Sequence, residues 1–403
     1  MRSKAGLYVF LAALALRLGL LFGAPSIPEA YERFDAKAYE AVAVNLMQGN
    51  GFIEAPGRPT DGRPPVYPLF LAAVYSVTGH SEFAVRLLQC FIDSGSAVLL
   101  MTITGLIFPP SAALAAGLLA AAYPPFILYS NVRLTECLFM FLFLWECLLL
   151  TRAFRDGGNR RFALAGILHG VAVLVRAPTL LFPLFLLPVM LLRRFRGLLK
   201  GFVLYAAIST ALISVWTVRN YYAHGGFLAV NTGSGWLMWY AIQDDAWDGD
   251  RIRELSPLRE YPELAELPRH EMESIVGRKV MKYALAHPFD YSLKLARNFW
   301  RLWTLPIGKV MISDISPLYG ALYQSAHYLL LAAAVCGFFM ITRSNIVPLL
   351  PALLYLAYVS LMHSVILGTP RYRLPYDHFL LMFCAAGLAF LYGEFRKKRG
   401  SAR

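Results

Sequence analysis

The apolar residues of the chain fall into long runs separated by short polar segments. A membrane-spanning helix needs about 20 apolar residues in succession. Ten runs approach this length, at about 6–24, 83–107, 111–130, 134–151, 162–176, 177–192, 201–218, 318–341, 346–365 and 375–393. The pattern predicts an all-α polytopic membrane protein with about ten transmembrane helices. Arg17 interrupts the first run and no small-residue cleavage pattern follows it, so we predict a retained helix and not a signal peptide.

A shorter apolar segment, PVYPLFLAAVYSVT at 65–78, needs a different interpretation. It has 14 residues, and Gly79 follows it as a helix stop. This length is typical of an interfacial or re-entrant helix. A crossing here would also move the basic loops downstream to the outer side, against the usual charge distribution. We therefore predict a short helix that does not cross the membrane.

The basic residues of the loops set the orientation. Short cytoplasmic loops carry an excess of Lys and Arg. The loops 152–161 and 193–200 hold four basic residues each, and the tail after 395 holds five. With ten spans, all three lie on the same side as Arg2 and Lys4. This predicts a multi-pass protein of the plasma (inner) membrane with both termini in the cytoplasm.

Two long segments then fall outside the cytoplasm, at 25–82 and 219–317, within one membrane-embedded domain that comprises 1–403. In the first of them an apolar stripe repeats at i, i+3, i+4, i+7 and i+8. It is formed by Tyr39, Val42, Ala43, Leu46 and Met47. The stripe predicts an amphipathic helix along the membrane surface.

Composition narrows the class of function. Hydrophobic residues make up 58% of the chain and charged residues 16%, well below the roughly 25% of a soluble domain. The net charge of +13 lies largely in the short loops, so it indicates membrane topology and not a nucleic-acid partner. The five cysteines lie inside apolar runs without CxxC spacing, which argues against a disulfide framework or a zinc site. No P-loop, GxGxxG, HExxH or GxSxG motif occurs, so neither ATP-driven nor nicotinamide chemistry is indicated.

Two acidic residues lie at predicted helix starts. Asp35 opens the amphipathic helix, either as an N-cap or as a catalytic carboxylate that takes a proton from an acceptor hydroxyl. The two roles are compatible, because capping holds the side chain and the helix dipole keeps it ionised. Glu136 starts the fourth run, where it either pairs with Arg133 three residues earlier or faces a cavity. Inside the second run, Arg86 and Asp93 share a face and are expected to satisfy each other or neighbouring polar groups.

Several arginines lie on the predicted outer face, against the positive-inside trend. They are Arg63 in RPPVYPLF, Arg219 in SVWTVRNYY, and Arg371 and Arg373 in LGTPRYRLPYDHF. Short outer segments that keep arginine often bind an anion, and a lipid phosphate is the nearest candidate. The alternative is that they anchor the chain at the interface beside neighbouring tyrosines. Tyr67, in the Arg63 motif, is a further candidate for substrate binding.

Five motifs, in their order along the chain, resemble those of a known family. They read DAKAYEAVAVNLMQGNGF, RPPVYPLFLAAVY, AAYPPFILYSNVRLTE, VWTVRNYYAHGGFLAVNTGSGWLMWY and PRYRLPYDHFLLMFCAAGL. The set resembles the GT-C glycosyltransferases of the dolichyl-phosphate-mannose–protein mannosyltransferase type, including the aminoarabinose transferases that modify lipid A. The resemblance extends over nearly the whole chain.

The resemblance implies an inverting transferase of the cell envelope with an extracytoplasmic active site. The donor would be a polyprenyl-phosphate-linked sugar, and the acceptor a lipid, a glycan or a protein. By the resemblance Asp35 would be the catalytic carboxylate. Glu136 is a second catalytic candidate because of its position at the start of the fourth run, not because of the resemblance. The arginines named above would hold the lipid phosphate or line its cavity. The Asp-Glu pair of protein mannosyltransferases is Asp35-Ala36 here, so the acceptor of that subfamily does not carry over.

A divalent ion bound by several relatives has no clear ligand set in this sequence. The acidic stretch DDAWDGD at 244–250 does not have the spacing of an EF-hand loop. A transporter or flippase of a lipid-linked or anionic substrate is the alternative function. It would place polar residues at the membrane midplane in broken helices of two matched halves. The polar residues of this chain cluster instead at the outer ends of the runs.

Overall fold

The fold is described from a computed structural model that covers residues 2–24, 32, 35–243, 255–307, 317–342 and 344–401. The acidic stretch at 244–250 lies outside these residues. Within them the chain is helical apart from one antiparallel hairpin, β1 (Ile53–Ala55) with β2 (Arg58–Pro59). The predicted all-α membrane fold is therefore confirmed.

The helices of the first half are α1 (Arg2–Gly23), α2 (Asp35–Met47), α3 (Val66–Thr78), α4 (Glu82–Ile107), α5 (Pro110–Ala122), α6 (Pro124–Ser130), α7 (Glu136–Asp156) and α8 (Asn159–Val175). Those of the second half are α9 (Phe182–Leu191), α10 (Leu199–His224), α11 (Ser234–Ala241), α12 (Pro257–Glu260), α13 (Arg269–Ala286), α14 (Pro288–Thr304), α15 (Pro317–Phe338), α16 (Ile346–Val365), α17 (Pro370–Arg373) and α18 (Asp377–Ser401). Short 3₁₀ turns occur at Ala177–Thr179, Arg193–Leu198, Pro262–Glu266 and Leu374–Tyr376.

Seven helical stretches of the described chain are long and apolar enough to cross a membrane. They are Lys4–Gly23, Glu82–Ile107, Glu136–Asp156, Arg193–His224, Gly320–Phe338, Ile346–Val365 and Pro370–Gly393. The pair α5 and α6 forms an eighth, bent by 54° where Tyr123 precedes two prolines. The chain is thus an integral membrane protein, but the predicted count of ten is not confirmed. The runs at 162–176 and 177–192 give a 17-residue helix and a shorter one that contains Pro188.

The short apolar helix predicted before Gly79 is confirmed. Helix α3 has 13 residues and ends at Gly79, whose φ of 69° is left-handed. Glycine adopts this conformation without a steric penalty, so the sequence signal and the observed stop have the same cause. On the amphipathic helix α2, Tyr39, Val42 and Ala43 of the predicted stripe are buried, whereas Met47 at its end is exposed.

The two segments predicted to lie outside the cytoplasm touch each other. The backbone N–H of Thr232 donates to the carbonyl oxygen of Asp61 at 2.8 Å, and the hydroxyl of Thr232 contacts the Asp61 carboxylate at 3.3 Å. Helix α2 packs on α3 in the first segment, and α11 packs on α13 in the second. Both segments therefore lie at one end of the bundle.

Buried charges join helices inside the bundle. Arg17 of α1, the residue that interrupts the first apolar run, pairs with Asp93 of α4 at 2.6 Å, and both side chains are fully buried. Arg86, on the same face of α4, pairs with Glu32 at 3.2 Å. Asp93 and Arg86 therefore pair with residues of other segments and not with each other. This is the second of the two arrangements predicted from the sequence.

A second buried acid, Glu146 of α7, ties four helices together. It accepts hydrogen bonds from the hydroxyls of Tyr205 (α10) at 2.8 Å and Tyr355 (α16) at 2.6 Å. The Nδ1 atom of His169 (α8) lies 3.2 Å from the same carboxylate. A carboxylate in the middle of an apolar helix needs such partners, because an unpaired charge there is costly.

Candidate active site

Asp35 is the first residue of α2, and its carboxylate faces two arginines. Its Oδ1 accepts a hydrogen bond from Arg63 Nη1 at 3.0 Å, and its Oδ2 accepts one from Arg371 Nη1, also at 3.0 Å. The predicted position at the helix start is therefore observed. The helix dipole favours an acidic side chain in the first turn, so position and charge agree.

Glu136 is the first residue of α7 and is fully buried. Its Oε1 accepts from Arg371 Nε at 2.6 Å and lies 2.8 Å from Arg176 Nη1. Arg133, the expected local partner, instead pairs with Glu32 at 2.7 Å and with Glu40 and Glu82 at 3.0 Å. Glu136 therefore does not form the local pair with Arg133 that the sequence allowed. It pairs instead with arginines from other parts of the bundle.

Asp35, Glu136, Arg63, Arg176 and Arg371 form one group, called here the carboxylate–arginine cluster. Each member lies at or just beyond a helix end, at the starts of α2, α7 and α17, before α3 and after α8. Arg371 contacts both carboxylates and so joins the halves of the cluster. Helices far apart in sequence bring their ends together here, which concentrates charge at one end of the bundle.

Aromatic rings flank the arginines. The guanidinium of Arg63 lies 4.9 Å from the centre of the Tyr39 ring, and that of Arg176 lies 5.3 Å from the centre of the Tyr372 ring. These distances are typical of cation–π contacts. Tyr67 is fully buried, packs edge-on against Tyr39 and donates its hydroxyl to Gln89 Oε1 at 2.8 Å. Tyr67 therefore packs against Tyr39, which itself contacts Arg63 of the cluster, and its hydroxyl bonds to Gln89 and not to a charged side chain of the cluster.

The cluster keeps Asp35 ionised. Burial alone would raise the pKa of Asp35, but the charges and hydrogen bonds of Arg371 and Arg63 outweigh burial and lower the pKa below its usual value of 3.8. Three guanidiniums face two carboxylates, which leaves a surplus of one positive charge. The side chains of Asp35 and Arg371 are each 36% exposed, so both reach the accessible side of the cluster. The arrangement offers a base and an anion-binding surface side by side.

Two arginines predicted for the site lie elsewhere. Arg219 donates to the carbonyl oxygen of Phe52 at 3.4 Å and stacks on the rings of Phe52 and Trp216. Arg373 is fully buried, pairs with Asp377 at 2.7 Å and donates to three backbone carbonyls at the end of α14 and just after it. These contacts give both side chains a packing role. Neither side chain pairs with a carboxylate of the cluster, and binding of a donor phosphate by either one stays a prediction.

The sequence analysis missed Arg176. It is the last residue of the predicted span 162–176, at the end predicted to face outside, so it carries the same signal as the other arginines of that face. The surrounding motif, RAPT, contains no second charged residue, so only the position of Arg176 at the end of the span could have indicated it. The structure assigns it to the buried carboxylate of Glu136.

The donor set of the cluster does not match a divalent metal. Among the residues that the structure describes, no group of three or more His, Cys, Asp or Glu side chains is arranged so that it could hold a metal ion. The two carboxylates of the cluster have the guanidinium of Arg371 between them. Calcium and magnesium take about six or more oxygen ligands, and zinc takes about four ligands. The side chains of the cluster therefore fit a divalent metal poorly.

The chain is similar to known proteins both in sequence and in fold. Residues 62–221 match the family described as dolichyl-phosphate-mannose-protein mannosyltransferase. No curated protein matches the sequence. The fold is similar to the archaeal oligosaccharyltransferase AglB from Archaeoglobus fulgidus, solved in complex with an inhibitory peptide and a dolichol-phosphate. That match has a TM-score of 0.56 and 14% identity over 98% of this chain and 51% of AglB.

Two further structures complete the comparison. The Archaeoglobus fulgidus oligosaccharyltransferase in complex with Zn and sulfate matches with a TM-score of 0.56 and 13% identity, over 96% of this chain and 49% of that one. ArnT from Cupriavidus metallidurans bound to undecaprenyl phosphate is 15% identical over 96% of this chain and 77% of ArnT, with a TM-score of 0.40. The chain spans about half the length of AglB. The predicted resemblance is thus confirmed, because residues 62–221 match the mannosyltransferase family and the fold is similar to that of the archaeal oligosaccharyltransferase.

Proposed function

We propose that this protein is a membrane glycosyltransferase that moves a sugar from a polyprenyl-phosphate-linked donor to an extracytoplasmic acceptor. One observation carries the proposal: the ionised carboxylate of Asp35 lies between Arg63 and Arg371, 3.0 Å from each, on the accessible side of a cluster with surplus positive charge. Sugar transfer from a lipid phosphate needs this combination. The acceptor needs a base, and the departing phosphate needs positive charge.

The family and the fold support a lipid-linked donor. AglB, which shares the fold, was solved with a dolichol-phosphate and an inhibitory peptide. A polyprenyl phosphate keeps its chain in the bilayer, so its headgroup can reach only residues at the membrane surface. The cluster lies at the ends of apolar helices and meets this condition.

The reaction is a displacement at the anomeric carbon of the sugar. The acceptor hydroxyl oxygen forms a bond to that carbon, while the bond between the carbon and the phosphate oxygen breaks. The phosphate leaves with the electron pair, and the hydroxyl proton passes to the carboxylate of Asp35. Attack from the face opposite the phosphate inverts the anomeric configuration. Asp35 then returns its proton to water.

Arg371 and Arg63 are assigned to the departing phosphate. Both guanidiniums pair with Asp35, and the sides that face away from its carboxylate are assigned to the phosphate, which leaves from the opposite face of the sugar. Removing one positioned donor of this kind typically lowers the rate about 10²–10³-fold. Arg176 is assigned to Glu136, whose buried charge it neutralises together with Arg371. Glu136 in turn holds Arg371 in place and so acts as a positioning residue.

The acceptor approaches from outside the cell in this proposal. The basic loops 152–161 and 193–200 lie at the cytoplasmic ends of their helices by the positive-inside rule, and the cluster lies at the other ends. The outer segments at 25–82 and 219–317 would contact the acceptor, which is a lipid, a glycan or a protein. Mass spectrometry of envelope glycolipids with and without the gene product would identify the sugar and a lipid acceptor.

The experiment that tests the function is the Asp35→Asn variant. Reconstituted with a polyprenyl-phosphate sugar and cell-envelope acceptors, it should insert and fold but lose transfer by at least about 10²-fold, since a positioned base contributes about that much. Asp156→Asn, on the loop at the other end of the bundle, is the matched control and should keep activity. Full activity of Asp35→Asn would refute the assignment of the base. Movement of a lipid-linked substrate across the membrane without any product would favour a transporter.

A further inference from the structure

We propose that the guanidinium of Arg371 takes the position between Asp35 and Glu136 that a divalent ion would hold in a metal-dependent site, so that transfer proceeds without a metal. The inference rests on the proposed function and specifies the cation of that site. It starts from the poor match between the donor set of the cluster and a metal.

The geometry gives Arg371 a bridging role. Its Nη1 donates to Asp35 Oδ2 at 3.0 Å and its Nε donates to Glu136 Oε1 at 2.6 Å. Two different nitrogens of one planar group thus reach two carboxylates that lie 101 residues apart in the chain. A guanidinium is suited to this role because its charge is permanent and its donors point in fixed directions.

The remaining contacts leave little room for an ion. Asp35 Oδ1 is bonded to Arg63, and Glu136 Oε1 also contacts Arg176 at 2.8 Å. A divalent ion that used both carboxylates would have to displace Arg371 and compete with these two arginines. Two positive charges added to three guanidiniums and two carboxylates would leave a net charge of +3, which favours expulsion of the ion.

The bridging arginine can perform the electrostatic part of the reaction. It is 36% exposed, so part of its side chain faces the approaching donor, while Glu136 below it is fully buried. A fixed positive charge beside the departing phosphate oxygen stabilises the developing negative charge, as a metal ion would. The same residue holds Asp35, so base and phosphate are aligned by one side chain.

The first test measures metal directly on the full-length protein in lipid nanodiscs. After treatment with EDTA, elemental analysis should find far less than one metal ion per chain, and the treated protein should transfer sugar at the untreated rate. A rate that falls with EDTA and returns with Mn²⁺, Mg²⁺ or Zn²⁺ would overturn the inference and leave the proposed function standing. No transfer under any metal condition would overturn both.

The second test removes the bridge. Arg371→Ala exposes two carboxylates to solvent ions, so it should bind Mn²⁺ in calorimetric titration at least about tenfold more tightly than the wild type, because a like charge has been removed. Arg371→Lys keeps one charge but cannot span both acids, and should lose about 10²-fold in transfer. Arg155→Ala, which removes an arginine paired with Asp156 at the opposite end, is the control for both measurements. Equal Mn²⁺ affinity in the wild type and Arg371→Ala, or full activity of Arg371→Lys, would contradict the bridging role.

Discussion

Asp35 shows how single residues set the chemistry of the cluster. Two opposing influences act on its carboxyl group. Burial favours the neutral form and raises the pKa, whereas Arg371 and Arg63 favour the charged form and lower it further than burial raises it. Because the resulting pKa lies below 3.8, the carboxylate takes up a proton only as the pH falls below that value. The carboxylate that we propose as the base is therefore ionised throughout the neutral range.

The Arg63→Ala variant tests this balance. It removes one of the two arginines that lower the pKa of Asp35. Because the effect of burial is then opposed by Arg371 alone, the pKa rises. We expect the acid limb of the kcat/KM profile to move to higher pH, with the rate at neutral pH lowered about 10²-fold through weaker stabilisation of the phosphate. The profile is measured as sugar transfer against pH in reconstituted protein. Arg155→Ala should reproduce the wild-type profile. If the acid limb does not move in Arg63→Ala, the titration of a group other than Asp35 produces that limb.

Four residues of the cluster could be chosen from sequence, but their partners could not. Asp35, Glu136, Arg63 and Arg371 stand out because polar residues at the outer ends of apolar runs are unusual. Spacing suggested that Glu136 would pair with Arg133, as neighbours on one helix do. The structure gives Glu136 partners from two other helix ends, and the two members of the Asp35–Arg371 pair are 336 residues apart. Packing of the bundle decides such pairs, and local spacing carries no information about it.

At the scale of elements, Glu146 joins α7 to α8, α10 and α16 through His169, Tyr205 and Tyr355. Sequence analysis gave it no role, since a single acid inside an apolar run has no visible partner before the helices are packed. The hydrogen bonds give it a structural role far from the cluster. Its loss would leave buried hydroxyl groups without an acceptor.

Glu146→Ala should therefore destabilise the bundle without changing the chemistry. We expect a loss of about 1–3 kcal/mol in the free energy of unfolding and a lower Tm in detergent. Transfer per folded molecule should stay at the wild-type value. Glu271→Ala, at an exposed position of α13, is the control and should leave Tm unchanged. An unaltered Tm in Glu146→Ala would show that the network does not hold these helices together.

The elements themselves were predictable to different degrees. Long apolar runs without proline, such as those of α4 and α7, gave helices close to the predicted limits. The run at 111–130 breaks into α5 and α6, because Pro124 and Pro125 follow Tyr123. The run at 177–192 yields a shorter helix than its length suggested, since a 3₁₀ turn precedes it. Hydropathy measures apolar length, whereas proline decides whether that length is one straight helix.

The whole molecule is polarised along the direction of its helices. Basic loops gather at one end, at 152–161 and 193–200, and the carboxylate–arginine cluster lies at the other. The sequence predicted this polarity from loop charge alone. It could not predict how the outer segments touch, because the contact between Asp61 and Thr232 joins residues 171 positions apart.

Thiol labelling in intact cells tests the orientation. In a background where the exposed Cys336 is replaced by Ser, His80→Cys should react with a membrane-impermeant maleimide from outside, since His80 is about half exposed and contacts Glu40 of α2, the helix that begins at Asp35. Arg155→Cys should react only after the membrane is permeabilised. The reverse pattern would place the cluster in the cytoplasm and rule out an extracytoplasmic acceptor.

The bridge made by Arg371 has a consequence for how the protein is made. Chains are synthesised from the N-terminus, and their early segments fold first. Asp35 and Glu136 enter the membrane region long before Arg371, which arrives between the last two long helices. Until that hairpin inserts, the two acids lack the charge that joins them. The carboxylate–arginine cluster is therefore completed only after the helices from α1 to α16 have been synthesised.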